Sequence, residues 1–397
     1  MTSMMHSDTH SLFGQLFMKA CIVTHSVGKG DGQGRVNYEV VLETIRRGHH
    51  VTILASSIDP DLQQHPQITW VPISVKGLPT ALLRQLFFSY KSAVWLRQHR
   101  HQFDVIQVNG SITSAPGDIN AVHFVHSSWL KSLFHPVHQS RSYYGIYQGF
   151  YTRLNAYWEK QSFQQAQIVV AVSEKVKHEL LTIGVPEQKT RVVLNGVDLQ
   201  EFRLGGGDRS SLNLPKGVPL ALFVGDIKSN RKNLDTVLHA LVEVPELHLA
   251  VVGDTEGSPY PQLAAQLKLS TRVHFLGFRR DVPMIMQSAD FFVLLSRYEP
   301  FGMVISEAMA TGLPVITSAN VGAADLVDAD SGIVVPDLSD VTALARAMER
   351  LTSDAGLRQQ MGQSARRVAE RYGWSKMASQ YVDLFESLCR SETVVGR

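Results

Sequence analysis

The chain has 397 residues, 44% of them hydrophobic and 19% charged, with a net charge of +2. One hydrophobic core rarely serves more than roughly 250 to 300 residues, so two globular domains are expected, and a disordered or fibrous chain is excluded. Cys21 and Cys389 are the only cysteines, too few for a disulfide framework or a cysteine-built metal site, and they read as the reduced thiols of a cytoplasmic protein.

Charge is uneven, with +5 on residues 1–200 and −3 on the remainder. The bias is too mild for a nucleic-acid footprint; it suits a domain that meets an anionic acceptor or membrane face, or it is unselected scatter. No apolar stretch reaches the roughly 18 to 20 residues that span a bilayer. Residues 1–17 lack a basic leading region and read as a disordered lead-in, with Met18 an alternative start.

From Met18 onward, short β-branched runs alternate with helical patterns, the signature of parallel sheets built from βαβ units. Lys19 to Thr24 is the first predicted strand. A glycine loop and a helix from Val36 to Arg47 follow, then a strand from Val51 to Ala55. Further strands are expected at Asp104 to Val108, Ala121 to His126, Ile168 to Val172 and Arg191 to Leu194. Between them lie helices at Leu82 to Leu96, Tyr147 to Phe163 and Lys175 to Leu181. This makes residues 18–198 one α/β domain.

Residues 199–217, rich in Gly, Ser, Pro and charge, read as a linker. The alternation then restarts, with strands expected at Leu220 to Val224, Leu247 to Val252, Val273 to Leu276, Phe291 to Leu295, Val315 to Thr317 and Ile333 to Val335. Residues 218–374 form the second domain. The stretch 375–397 is helical and aromatic, and in a two-domain cleft protein it would cross back to the first domain.

Two constellations carry chemistry. Gly28, Gly30, Gly32 and Gly34 lie between a strand and a helix, where missing side chains let backbone amides approach a phosphate or sugar; a merely flexible turn is the alternative. The second is RYEPFGMVISEAMA, residues 297–310. Pro300 and Gly302 hold off the helix until about Met303, whose free amides would stabilise a diphosphate without a cation. Glu299 precedes this helix and Glu307 lies just over one turn inside it. One ligand can therefore meet both carboxylates, which accept hydrogen bonds from sugar and ribose hydroxyls; a solvated acidic helix start is the plain alternative.

Two glutamates seven residues apart within EPFGMVISEAMATGLPVI resemble the nucleotide-sugar signature of the GT-B retaining glycosyltransferases, with most similarity to glycosyltransferase family 4. The resemblance extends over nearly all the chain after Met18. It includes VVAVSEKVKHELLTIGVPEQKTRVVLNGVDLQEF, LALFVGDIKSNRKNLDTVLHAL, LAVVGD, VHFLGF and SGIVVPDLSD. It implies an α/β protein of GT-B fold, two Rossmann-like β/α/β domains facing across a cleft. The implied activity is metal-independent hexosyl transfer with retained anomeric configuration, from a nucleotide-diphosphate sugar to a sugar, polysaccharide or lipid-linked acceptor, with no cofactor. A non-catalytic GT-B subunit regulating a partner glycosyltransferase is the alternative.

Residue by residue, the resemblance gives Glu307 the ribose and Glu299 the transferred sugar. The amides of Phe301, Gly302, Met303 and Val304 would hold the sugar and diphosphate; the glycine loop with Gly32 and Gly34 is read, from its own residues, as facing the donor. Lys232 matches a diphosphate-binding lysine, and Gly277 and Phe278 lie where the base is met. His126, at the predicted strand end, matches an active-site histidine beside the donor sugar; His123 is its rival. One position departs from the pattern: Gly225 is followed by Asp226 where relatives carry arginine. An aspartate cannot clamp phosphate, and Arg231 stands at the other end of that loop as a substitute cation.

The acceptor side is less determined. The helix carrying Leu82, Leu83, Leu86, Phe87, Tyr90, Val94 and Trp95 among Arg84, Lys91, Arg97 and Arg100 suits either an anionic inner membrane face or a packed core with snorkelling cations. The aromatic segment from Trp129 to Trp158 suits either sugar stacking or core filling.

Overall fold

The computed structural model describes residues 17–139 and 142–395. The predicted lead-in, apart from Phe17, lies outside the described residues. The first sheet contains β1 (Lys19–Val23), β2 (His50–Ala55), β3 (Ile68–Pro72), β4 (Val105–Asn109), β5 (Ile119–Val122), β6 (Ile168–Ala171) and β7 (Thr190–Val192). Its order is β3-β2-β1-β4-β5-β6-β7, with every pairing parallel. Helices α1 (Gly32–Arg46), α2 (Ala81–His99), α3 (His126–Lys131) and α4 (Tyr143–Gln165) belong to the same half.

The second sheet contains β8 (Leu220–Val224), β9 (His248–Val252), β10 (Val273–Phe275), β11 (Phe291–Leu294), β12 (Val315–Ser318) and β13 (Gly332–Val335), ordered β10-β9-β8-β11-β12-β13. Helix α5 (Met303–Ala310) follows β11, and α6 (Trp374–Val395) ends the described chain. Both sheets are covered on two faces, so their strands read as continuous apolar runs; all five residues of β8, LALFV, are buried. In each sheet the order reverses between the first and fourth strands. That switch opens a crevice beyond the strands' carboxyl ends, where α/β folds bind ligands.

Helix α6 packs on α1, with Tyr381 and Phe385 fully buried in the first domain's core beside Val40 and Val41. Arg47 holds it from the other side through Asp383 (2.7 Å), Glu386 (3.1 Å) and the Ser379 hydroxyl (2.7 Å). The chain thus passes between the halves twice, at one place, where Val197 N–H donates to the Tyr372 carbonyl at 2.9 Å. A Cβ on Gly196 would stand 2.6 Å from Trp374 Cα, so only glycine lets the crossings lie this close.

Several sequence expectations are corrected. β5 ends at Val122, and His126 opens helix α3 rather than closing a strand. The physical reason is Glu159, whose buried carboxylate accepts the His126 and Ser127 backbone N–H groups and caps a helix there. Helix α1 starts four residues earlier than expected, because Asp31 caps it by accepting from Gly34 N–H at 2.7 Å; Gly32 and Gly34 therefore lie in its first turn, not in a loop. β3 was not anticipated: ITWVP is short and ends in proline, which a strand tolerates at a sheet edge. Leu83, Leu86, Phe87 and Tyr90 of α2 are exposed, against the packed-core alternative.

Candidate active site

At the second sheet's switch point, the loop after β8 meets the loop after β11. The first runs from Gly225 to a 3-10 turn at Asn230–Lys232 and into Asn233, which is left-handed (φ 62°) and donates from its amide to the Leu338 carbonyl. The second runs from Ser296 to Gly302. Lys232 Nζ donates to a Glu299 carboxylate oxygen, and the two side chains are 13% and 12% exposed, an ion pair largely withdrawn from water. Gly225 lies against the Lys232 stem, where a Cβ would sit 3.2 Å from Cγ. Asp226 is exposed and turned into its own loop, accepting from Lys228 N–H (2.9 Å) and the Ser229 hydroxyl (2.8 Å).

Gly302 is the N-cap of α5 with φ 96°, a conformation side chains disfavour. A Cβ there would also stand 2.9 Å from Val321 Cγ1 and 3.1 Å from Glu299 Cγ. Its glycine identity thus serves both the turn and the packing of Glu299. The Phe301 side chain is buried at 3% exposure, so only its backbone is available to a ligand; Met303 and Val304 are half-buried.

Met303 also brings the halves together. A Cβ on Gly32 would lie 3.1 Å from Met303 Sδ, so the starts of α1 and α5 face one another. Each helix start carries a partial positive charge from its aligned peptide dipoles. Beside them is a gap of about 260 Å³ lined by Lys29, Gly30, Gly32, Arg35, Met303 and Glu307. Burial pushes the Glu307 carboxyl up to about 7, the charge of Glu201 adds to this, and Arg35 opposes it. Glu307 therefore sits at its protonation midpoint near neutral pH.

Gly277 (φ 71°) and Phe278 (73% exposed) follow β10, two strands from β8. With strands about 4.8 Å apart, they stand about 10 Å from the Lys232 loop along the sheet's carboxyl edge, comparable to the reach of a nucleoside from its phosphates. Arg231 accepts Arg297 N–H on its carbonyl at 2.8 Å, which ties the two loops together.

His126 lies across the gap in a first-domain cleft of about 490 Å³, with His25, Asn109, His123, Tyr151 and Glu159 also on its walls. Glu159 is 1% exposed and accepts from His126 N–H (2.9 Å), His126 Nδ1–H (3.0 Å), Ser127 N–H (2.9 Å) and the Ser127 hydroxyl (3.0 Å). An ionised carboxylate only accepts, so Nδ1 carries a proton and Nε2 is left as the free position of the ring. His123 is in the same cleft, but burial pushes it down to about 4, and its Nε2 has no hydrogen-bond partner among the described residues. No bond joins His126 to the Lys232 and Glu299 pair among the described residues. Between them lie rings in edge-to-face contact, His126 with Phe124 (4.9 Å) and Phe124 with Tyr298 (5.0 Å).

Glu159 and Tyr298 were not singled out from sequence. The buried Tyr298 hydroxyl accepts from Val125 N–H at 3.2 Å and lies 3.0 Å from Glu179 Oε2, which clasps the Glu299 loop to the first domain. The Ser173 hydroxyl reinforces the clasp by donating to the Pro300 carbonyl at 2.7 Å. Tyr298 was visible as the immediate neighbour of Glu299, whereas Glu159 had no sequence signal beyond being a lone acid in an aromatic helix. Among the described residues no group of three or more His, Cys, Asp or Glu side chains is placed to hold a metal ion.

Residues 30–201 match the model of Glycosyltransferase Family 4, and residues 207–368 match that of Glycosyl transferases group 1. An uncharacterized glycosyltransferase of Methanocaldococcus jannaschii is 28% identical over 86% of this chain and 90% of its own length. A D-inositol 3-phosphate glycosyltransferase of Streptomyces bingchenggensis is 33% identical over 58% of this chain, and a lipopolysaccharide core biosynthesis glycosyltransferase of Rhizobium meliloti 29% over 53%. The chain spans only 55% and 62% of the length of those two relatives. Among solved structures, sucrose-phosphate synthase from Thermosynechococcus elongatus superposes with a TM-score of 0.76 at 22% identity, covering 94% of this chain and all of that one. Anabaena HepE, solved with UDP-glucose, gives 0.70 at 21% identity over 93% of this chain and 100% of its own. The expected pair of Rossmann-like halves, their switch-point crevices and these matches agree: the chain has the GT-B fold and belongs to the group 1, family 4 glycosyltransferase family.

Proposed function

We propose that the protein transfers a hexosyl group from a nucleotide-diphosphate sugar to a hydroxyl acceptor, with retention and without a metal ion or other cofactor. The observation that carries this reading is the convergence at Gly32 and Met303 of two helix starts, next to the Lys232 and Glu299 pair. A diphosphate there meets peptide dipoles and a lysine rather than a metal ion. In this reading residues 18–198 form the acceptor-side domain, 199–217 the linker and 218–374 the donor domain.

Glu307 takes the ribose, Gly277 and Phe278 border the base, and Lys232, Arg231, Gly225, Gly32 and the amides of residues 301–304 hold the diphosphate; Gly34, whose N–H is taken by Asp31, stands behind them. Glu299 leaves Lys232 for the sugar hydroxyls as Lys232 turns to phosphate. The bond from the anomeric carbon to the diphosphate oxygen breaks, the acceptor oxygen bonds to that carbon on the same face, and its proton passes to the leaving diphosphate. His126 stands beside the sugar.

The lipopolysaccharide relative supports a role in envelope polysaccharide or glycolipid assembly; the proposed place is the cytoplasm, with peripheral contact at the inner membrane face. The deciding experiment mixes the protein with UDP-, GDP- and ADP-sugars and follows nucleotide release, starting from UDP-glucose, the ligand of the Anabaena neighbour. Release that persists with chelator and disappears in Glu299→Ala is expected, with the product's anomeric configuration read by NMR. No turnover with any donor, together with co-purification of an active homologue, would favour the non-catalytic subunit that Asp226 suggests.

A further inference from the structure

Beside the His126 cleft the first domain has a second cavity, a groove of about 280 Å³ between α2, α4 and the loop after β4. Helix α2 supplies Gln85 and Tyr90, and α4 supplies Trp158, Gln161 and Gln165, whose spacing i, i+3, i+7 puts them on one helix face. Ser111 closes the third side, beyond the carboxyl end of β4 at the first sheet's switch point. Eight of the eleven described residues on the walls are Ser, Thr or Gln, and none is charged.

This composition selects the ligand by elimination. A hydrocarbon chain would strip water from the hydroxyls and amides and return no hydrogen bond. An anion would find no cation on the walls, and a cation no carboxylate. A neutral sugar meets both demands, because its hydroxyls pair with amides and hydroxyls while its C–H faces lie on aromatic rings, here Tyr90 and Trp158. The groove is near the lower bound of roughly 300 Å³ for small-molecule sites, so it suits part of a ligand rather than a whole one.

Gln85 shows where the rest of that ligand lies. Gln85 and Ser111 line both the groove and the His126 cleft, so the two cavities share a wall. The Tyr151 carbonyl can only accept, so Asn155 Nδ2 faces it at 2.9 Å and Asn155 Oδ1 is left to accept from Gln85 Nε2. The Gln85 amide is thereby fixed. Its Oε1 has no hydrogen-bond partner among the described residues, although the residue is only 9% exposed. A buried carbonyl oxygen without a donor is costly, and a ligand hydroxyl is the donor it lacks.

We infer that the acceptor is a neutral oligosaccharide whose terminal unit occupies the His126 cleft, while the unit before it lies in the groove on Trp158 and Tyr90 and donates a hydroxyl to Gln85 Oε1. Its role as acceptor rests on the proposed glycosyl transfer; the binding of a sugar chain across the two cavities does not.

The test is titration of the full chain, without donor, followed by saturation-transfer NMR. The probes are maltotriose, cellotriose, mannotriose and chitotriose beside their monosaccharides, with trigalacturonic acid and a Ser- and Gln-rich peptide as controls. At least one neutral trisaccharide should bind about tenfold more tightly than its monosaccharide, since two linked subsites act together. Trp158→Ala should weaken the trisaccharide by at least about fivefold. The exposed pair Gln161→Ala, Gln165→Ala should weaken it in the same direction at an unchanged melting temperature, which separates lost binding from lost folding. No neutral trisaccharide bound, no advantage over the monosaccharide, preference for the uronate or the peptide, or wild-type binding by both variants would each overturn the inference. With no donor present, these results are independent of whether sugar transfer is observed.

Discussion

One buried carboxylate, that of Glu159, holds His126 by its backbone N–H and by its ring Nδ1 at 2.9 and 3.0 Å. The same contact that starts helix α3 therefore also orients the imidazole in the cleft. Glu159→Ala should lower turnover by about a hundredfold while donor affinity changes less than about twofold, because the donor sits mainly on the other domain. Glu159→Asp should recover part of the loss. The ring's nitrogen-15 shifts report the tautomer directly: Nδ1–H is expected in the wild type and a mixture in Glu159→Ala. An unaltered tautomer would sink the assignment.

Lys232 and Glu299 neutralise each other in a largely water-free place. Removing either partner strands the other, so Lys232→Met and Glu299→Gln should each destabilise by about 1–3 kcal/mol. The double variant should lose less stability than the sum of the singles, and neither single should retain measurable transfer. Urea unfolding of the four proteins decides the matter; strict additivity would mean that the pair is not coupled.

Glu307 makes donor binding depend on pH. With its carboxyl raised to about 7, the free protein is protonated there below neutrality and ionised above it. A ribose diol donates hydrogen bonds and is better met by the ionised form, so nucleotide affinity should strengthen as pH rises from about 6 to 8. Calorimetry of UDP binding in buffers of different ionisation enthalpy should detect proton release near pH 7, absent in Glu307→Gln. The sign for folding is opposite. The folded state holds this proton more tightly than the unfolded chain, whose value is 4.5, so the group's contribution is full below that value and is lost as pH climbs through about 7.

Gly302→Ala places a Cβ in a left-handed turn and 2.9 Å from Val321. A loss of about 1–3 kcal/mol in stability is expected. Donor affinity should fall further than this strain alone requires, since the turn aims the first amides of α5. A variant with normal donor binding would remove Gly302 from the site.

The alternation of apolar runs with helical periods was sufficient to reveal two parallel-sheet halves, because burial on both faces leaves no other pattern for such strands. The helix start between Glu299 and Glu307 and the glycine turn at 302 were legible for a related reason: helix starts and tight turns are dictated by residues adjacent in the chain; Lys232 was marked only by family resemblance. His126 was expected at a strand end but opens a helix, since that helix is nucleated by Glu159, thirty-three positions away. The ion pair between Lys232 and Glu299, the clasp of Tyr298 on Val125 and the exposure of the α2 stripe depend on which surfaces the two halves present to each other and to water. An amphipathic period states that one face is apolar and says nothing about what covers it. Local sequence thus determined most of the elements; long-range contact decided where α3 begins, which charges meet, how the His126 ring is held and which apolar face stays open.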